Sequence, residues 1–186
     1  MRTRGRLQAV DLAVAPWNPV RDAVIPGALA GTLGAFAMTA LACAFSGVLH
    51  GEPWRPALLV SGLFFRGGEA HGVVPVLMGL FIHFSLAGAL ATGFAMLLPR
   101  RGTAVAALCL GVLYGMGLWT VMTWLMIPFA SPPLSHEAPT SMLFLLHLAF
   151  GAALGTVPAF RAVLTRVDRL RLHLLALKPA QRPGPE

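Results

Sequence analysis

The chain has 186 residues, of which 56% are hydrophobic and 11% are charged, and its mean hydropathy is +0.73. A soluble domain carries about 25% charged residues, so this composition excludes a soluble globular protein, and the apolar content also excludes intrinsic disorder. A secreted scaffold held together by disulfides is excluded as well, because the chain contains only two cysteines.

Four uncharged stretches are long enough to cross a bilayer as helices, which takes about 20 mostly apolar residues. The predicted helices cover residues 25–48, 74–98, 103–127 and 141–161. Pro26, Pro75 and Pro128 lie at helix ends, where a missing N–H costs little. Pro158 predicts a kink in the last turn of the fourth helix. The sequence therefore predicts an all-α integral membrane four-helix bundle over residues 25–161.

The positive charges are unevenly distributed among the loops, and this predicts the orientation of the bundle. Short loops rich in Lys and Arg stay cytoplasmic. Twelve of the fourteen basic residues fall on the side of the two termini and of the turn after the second helix, and only Arg55 and Arg66 fall on the other side. We therefore expect both termini to be cytoplasmic in a multi-pass protein of the bacterial inner membrane. No basic surface interleaved with aromatic residues accompanies the charge, so we expect no nucleic acid partner.

Four further segments complete the predicted organisation. Residues 1–24 form a cytoplasmic N-terminal segment. Residues 56–66 are apolar but too short to cross, so they lie along the outer interface or dip into the bilayer and return. In residues 162–178, apolar side chains recur at spacings of four and three between arginines, which predicts a basic amphipathic helix. This helix continues the fourth span into the cytoplasm, lies on anionic lipid or pairs with a second copy. Residues 179–186 are rich in proline and predicted to be disordered.

Small residues recur at four-residue spacing along the predicted helices and indicate close packing, because lipid-embedded helices associate where small side chains let backbones approach. The small-residue faces of the second and fourth helices each carry one histidine, His83 and His147. Both side chains are therefore expected to point into the bundle. The short turn at 99–102 predicts that the second and third helices are antiparallel neighbours. The glycine-rich faces also offer a route to a homo-oligomer or to a membrane protein partner.

His83 and His147 have two alternative interpretations. Two neutral imidazoles on glycine-lined faces suit the axial ligands of a b-type haem. Alternatively, each histidine makes a hydrogen bond between helices, worth about 0.6 kcal/mol. The candidate hydroxyl partners are Thr39, Ser85, Thr120 and Thr123. No Asp, Glu, Lys or Arg falls within the apolar length of a predicted span, which argues against ion-coupled transport and against acid–base catalysis. We therefore expect a protein that is not an enzyme.

A second group of candidate ligands is predicted at the outer mouth of the bundle. It comprises His50, Glu52, Glu69, His71, His136 and Glu137. Imidazoles and carboxylates bind zinc or copper, so a metal site is one interpretation. A cluster that responds to pH is another, because histidine titrates near pH 6.5. The third interpretation is a set of solvated loop side chains without a ligand.

Several short motifs resemble those of a known family. They are Gly27 to Gly34 followed by Met38-Thr39, His83-Phe84, Gly111 to Gly115, and His147 to Gly151. Over residues 25–160 the chain resembles small bacterial inner-membrane proteins with a glycine-rich first helix and, more distantly, the YagU group linked to acid resistance. The resemblance implies four spans and no particular activity. The expected function is a structural or partner subunit, and the alternatives are a bis-histidine haem electron-transfer protein or a facilitator for a small solute or metal ion.

Overall fold

The computed structural model describes residues 17–62, 64–65, 71–100, 102–130 and 132–176. Most of the predicted N-terminal segment, Glu69 and the predicted tail 179–186 lie outside the described residues. The helices are α1 (Ile25–His50), α2 (Arg55–Ser61), α3 (Val73–Leu97), α4 (Ala104–Val121), α5 (Ile127–Ala130), α6 (Pro132–Glu137), α7 (Thr140–Leu154) and α8 (Val157–Ala176). The structure also contains two π-helical segments. The first π segment (Val20–Val24) precedes α1, and the second π segment (Met122–Met126) lies between α4 and α5.

Four continuous helical stretches are long and apolar enough to cross a membrane. They cover Val20–His50, Val73–Leu97, Ala104–Ala130 and Thr140–Arg171. The described residues contain helices and no strand. The prediction of an all-α protein with four spanning helices is therefore confirmed. Three of the stretches are longer than predicted. The π segments extend the first helix backwards and the third helix forwards, and the fourth stretch continues to Arg171.

Each π segment lies just before a proline. Pro26 follows the first π segment and Pro128 follows the second. A proline inside a helix has no N–H to donate, and its ring collides with the carbonyl four residues earlier. A widened turn with hydrogen bonds between residues i and i+5 relieves that conflict, and the Ile25 N–H accordingly donates to the Val20 carbonyl. The helices therefore continue through positions where the sequence predicted their ends.

Close backbone approaches set the order of the helices around the bundle: α3 packs on α1, α1 on α7, and α7 on α4. A Cβ atom at Gly31 would lie 2.6 Å from the Ala87 carbonyl oxygen of α3. A Cβ atom at Gly111 of α4 would collide with the carbonyl oxygen of Gly151 of α7. These distances leave no room for larger side chains, so the glycines are required where α1 meets α3 and where α4 meets α7.

The helices α3 and α4, which the short turn predicts to be antiparallel neighbours, make only sparse direct backbone contact. Tyr114, the only tyrosine of the chain, spans the gap. Its hydroxyl donates a 3.0 Å hydrogen bond to the Leu90 carbonyl, and its ring lies 5.3 Å from that of Phe94. A long aromatic side chain holds two backbones further apart than glycine or alanine does. The bundle is therefore tightly packed on three sides and looser on the fourth.

The fourth spanning stretch is interrupted at residues 155–156, between α7 and α8. Pro158 has no N–H for the Leu154 carbonyl, and the preceding residues tighten into a turn in which Gly155 N–H donates to Ala152 and Thr156 N–H to Ala153. The sequence placed the irregularity at Pro158, and the structure places it two to three residues earlier. Helix α8 covers Val157–Ala176. It therefore begins five residues before the predicted amphipathic segment, which starts at residue 162.

One end of the bundle, here called the basic end, contains Arg21, Arg100 and Arg161. Arg100 forms a 3.2 Å ion pair with Asp22, and Arg21 forms a 3.0 Å ion pair with Asp168 of α8. Asp22 is 7% exposed, so a carboxylate that the sequence placed in a cytoplasmic segment is buried against the bundle. From the sequence, the three arginines indicated only the orientation of the bundle. The structure shows that they also hold α8 to α1 and α3.

Candidate functional site

A cavity of about 210 Å³ lies inside the bundle and contacts all four spanning stretches. His83 of α3 and His147 of α7 both line it. The structure thus brings together the two histidines that the sequence placed on small-residue faces. His83 lies ten residues after Val73, about 15 Å along α3 at 1.5 Å per residue. The cavity therefore lies near the middle of the spanning length.

The His147 ring contacts a backbone carbonyl rather than one of the predicted hydroxyl groups. His147 Nδ1 lies 2.8 Å from the Leu143 carbonyl oxygen one turn earlier in α7. A carbonyl oxygen only accepts, so this Nδ1 carries a proton, and Nε2 of the neutral His147 ring is an acceptor. The His83 ring faces the backbone carbonyl of Ala35 in α1.

One nitrogen of the His83 ring has no partner. Nε2 is buried and makes no hydrogen bond. His147 is only 9% exposed and lies close enough to His83 for the two rings to interact electrostatically. The interior of the bundle therefore presents an unsatisfied ring nitrogen next to an apolar cavity.

The remaining walls of the cavity are almost entirely apolar. Thr39 and Cys43 of α1 are the other polar or ionisable lining residues, and Met38 and Met122 add two thioethers. Met122 belongs to the second π segment and Ile127 to α5, so the widened turn before Pro128 places two side chains at this wall. No carboxylate is among the described residues that line the cavity.

Helix α2 closes the cavity on the side of Arg55. Pro56, Ala57 and Val60 line this wall, and Leu134 of α6 contributes to it. The Ala57 backbone packs so closely on α3 that any side chain at Gly79 would overlap its carbonyl oxygen. Gly79 is six residues after Val73, so α2 contacts α3 about 9 Å along the helix axis from the first residue of α3. The predicted interfacial segment thus includes a short helix packed on α3.

The size of the cavity bears on the haem interpretation. Sites for drug-sized ligands measure about 300–1,000 Å³, and a porphyrin belongs with the larger members of that class. A cavity of about 210 Å³ is too small for it. The two histidines therefore share one cavity, as an axial pair requires, but the surrounding side chains leave no space for the macrocycle.

Two of the candidate metal ligands at the outer mouth, Glu52 and Glu137, form ion pairs with an arginine. Arg55 pairs with Glu52 at 2.8 Å and with Glu137 at 2.7 Å. The hydrogen bond to Glu137, and then that to Glu52, raises the pKa of Arg55 above its usual value. The Arg55 guanidinium group thus occupies carboxylate oxygens of Glu52 and Glu137 that a metal would need.

The histidines of this mouth, His50, His71 and His136, are exposed. Among the described residues, no three His, Cys, Asp or Glu side chains are grouped so that they could hold a metal ion. Glu69, the sixth predicted ligand, lies outside the described residues. The metal site at the outer mouth stays a prediction.

Sequence reasoning missed three features that shape the cavity: the closing wall made by α2, the π segment that carries Met122, and the gap spanned by Tyr114. The signals were present in part. Pro128 follows the π segment, and a lone tyrosine in an apolar helix indicates a polar contact for its hydroxyl. The chain matches no known protein family, no curated protein and no solved structure.

Proposed function

We propose that the protein is a multi-pass protein of the bacterial inner membrane that binds a small molecule with a hydrogen-bond donor in the cavity between His83 and His147. Both termini are cytoplasmic in this proposal. The distribution of basic residues supports the orientation, since the basic end contains Arg21, Arg100 and Arg161 whereas the described residues of the opposite end contain Arg55.

The unpartnered Nε2 of His83 carries the proposal. Leaving a buried acceptor without a donor costs about 1–3 kcal/mol. A ligand hydroxyl or N–H directed at Nε2 recovers that free energy, and the apolar walls bind the rest of the molecule. In this proposal Nδ1 of His83 carries the proton, as Nδ1 of His147 does, so the cavity selects for molecules that donate a hydrogen bond and against those that only accept one.

The cavity volume limits the size of the ligand. An apolar protein cavity of about 150 Å³ is known to bind benzene. At about 210 Å³ the cavity of this protein has room for a ring with a short substituent, such as a small alkylphenol.

The test compares two molecules of nearly the same shape, 4-ethylphenol and 4-ethyltoluene, which differ by a hydroxyl in place of a methyl group. Thermal unfolding of the detergent-purified protein is measured with each. We expect 4-ethylphenol to raise Tm more than 4-ethyltoluene does. The difference should vanish in His83→Leu and persist in His136→Leu, whose histidine is exposed and far from the cavity. Equal shifts by both compounds in the unmodified protein would overturn the proposal.

A partner subunit is the second candidate, and one observation favours it. The glycines that pack helices together are used inside the bundle, but Gly117 of α4 is exposed and a Cβ atom there would meet nothing within 4 Å. An open glycine on a spanning helix permits close approach by a helix from another chain. If this face binds a partner or a second copy, Gly117→Leu will reduce the association measured in bilayers, whereas an unchanged association would exclude this face.

A further inference from the structure

The cavity wall between α3 and α4 differs from the other walls. Leu86 and Leu90 of α3, Leu118 of α4 and Met122 of the second π segment line the cavity here, and we call the space between these four side chains the α3–α4 seam. The two helices make only sparse direct contact. Tyr114 spans them at the level of Leu90 through its 3.0 Å hydrogen bond. The seam therefore begins beyond Tyr114, on the side away from the basic end.

Three other walls are closed by close backbone contact. Gly31 seats α1 against α3, and Gly111 and Gly151 seat α4 against α7. Towards the Arg55 end, α2 packs on Gly79 and closes the cavity from that side. At the seam, by contrast, the side chain Leu86 is 44% exposed although it also lines the cavity. A residue that is both lining and exposed marks the place where the cavity meets the surroundings.

The surroundings of the seam are the bilayer. The seam lies between two helical stretches, Val73–Leu97 and Ala104–Ala130, that are long and apolar enough to cross a membrane. Leu113 of α4 and Leu125 of the second π segment are 63% and 57% exposed, in the manner of side chains that face lipid. A molecule leaving the cavity through the seam therefore enters hydrocarbon rather than water.

We propose that the cavity exchanges its ligand with the bilayer through the α3–α4 seam. The inference rests on the proposed function and narrows the ligand class to neutral, lipid-soluble molecules that carry one hydrogen-bond donor. Charged or strongly polar molecules do not reach the cavity by this route, because they do not dissolve in the hydrocarbon core.

A native thiol tests the route without any ligand. Cys43 of α1 lines the cavity, and the other cysteine, Cys109 of α4, is exposed on the outside of the bundle. In a Cys109→Ser background reconstituted in proteoliposomes, Cys43 is allowed to react with lipid-soluble N-phenylmaleimide or with a charged, sulfonated maleimide. We expect the lipid-soluble reagent to label Cys43 at least tenfold faster.

Two tryptophan variants locate the path. Leu86→Trp places a larger side chain at the rim of the seam and should slow the labelling of Cys43 by N-phenylmaleimide several-fold. Leu113→Trp enlarges a lipid-facing side chain of α4 outside the seam and should leave the rate unchanged. Size-exclusion profiles and thermal unfolding show whether each variant folds, and Leu118→Phe is a milder second change at the seam.

Two results would overturn this route. One is labelling of Cys43 by the charged maleimide as fast as by the lipid-soluble one, which would mean that water reaches the cavity. The other is an unchanged rate in both folded seam variants. Neither result depends on His83, so the two proposals can fail separately. If only the route through the seam is wrong, 4-ethylphenol still distinguishes the His83→Leu variant from the unmodified protein. If only the ligand proposal is wrong, N-phenylmaleimide still reaches Cys43 through the seam.

Discussion

The Nε atom of Arg161 in α8 lies 2.7 Å from the backbone carbonyl oxygen of Asp22 in the first π segment. Pro26 explains why this carbonyl is available, since proline has no N–H to donate to the residue four positions earlier. The same guanidinium donates to the carbonyls of Ala95, Leu98 and Pro99 at the end of α3. One side chain thus satisfies acceptors that a proline and a helix C-terminus leave unpaired.

Replacing Arg161 with glutamine should destabilise the protein. The variant loses charge-assisted hydrogen bonds to carbonyls of two helices, and we expect the free energy of unfolding to fall by about 2–3 kcal/mol. Arg166→Gln, an exposed arginine one turn later in α8, is the matched control and should have little effect. Unfolding of both variants in a denaturing detergent titration measures the difference. Equal stability of the two variants would mean that Arg161 serves only as an orientation signal.

Adding one methyl group at Gly111 should destabilise the contact between α4 and α7. The new Cβ atom would collide with the Gly151 carbonyl, and forcing extra volume into a packed interface costs about 1–3 kcal/mol. Gly117→Ala, six residues later in the same helix, meets open space and should be neutral or slightly stabilising. Thermal unfolding compares the two. A loss of stability in Gly117→Ala as large as in Gly111→Ala would contradict the packing described.

The Arg55 ion pairs should hold α6 near α2 over a wide pH range. The partners raise the pKa of Arg55, so its contribution is fully present below the pKa of an unfolded arginine and is lost only as the pH rises through the higher folded value. We therefore expect the stability of the contact between α2 and α6 to stay the same between pH 6 and 9. High salt should weaken this contact, because the charged groups are exposed. Hydrogen exchange of residues 132–137 should accelerate in Arg55→Gln and stay unchanged in Arg171→Gln.

The purified protein should show no Soret band. The cavity that contains His83 and His147 is too small for a porphyrin, so an optical spectrum after expression with added haem precursor should match that of an apoprotein. A Soret band stoichiometric with protein, and lost in both His83→Ala and His147→Ala, would restore the haem interpretation and require the bundle to open.

Hydropathy was sufficient to predict the four spans, because a helix in lipid needs length and apolar residues more than any particular partner. Four-residue spacing was sufficient to place His83 and His147 towards one interior, since positions i and i+4 share a helix face. Three features could not be read from the sequence in the same way. The bond between Arg161 and Asp22 joins residues 139 positions apart, the wall made by α2 depends on how a loop folds back, and the α3–α4 seam depends on the reach of Tyr114.

The most direct test of the central claim observes His83 Nε2 itself. The protein, labelled with ¹⁵N at histidine and reconstituted in nanodiscs, gives a ring-nitrogen signal that the His83→Leu variant assigns. We predict an unprotonated Nε2 in the free protein, whose resonance moves upfield on addition of 4-ethylphenol and stays in place with 4-ethyltoluene. A protonated Nε2, or a resonance that responds to neither compound, would contradict a ligand site at this nitrogen.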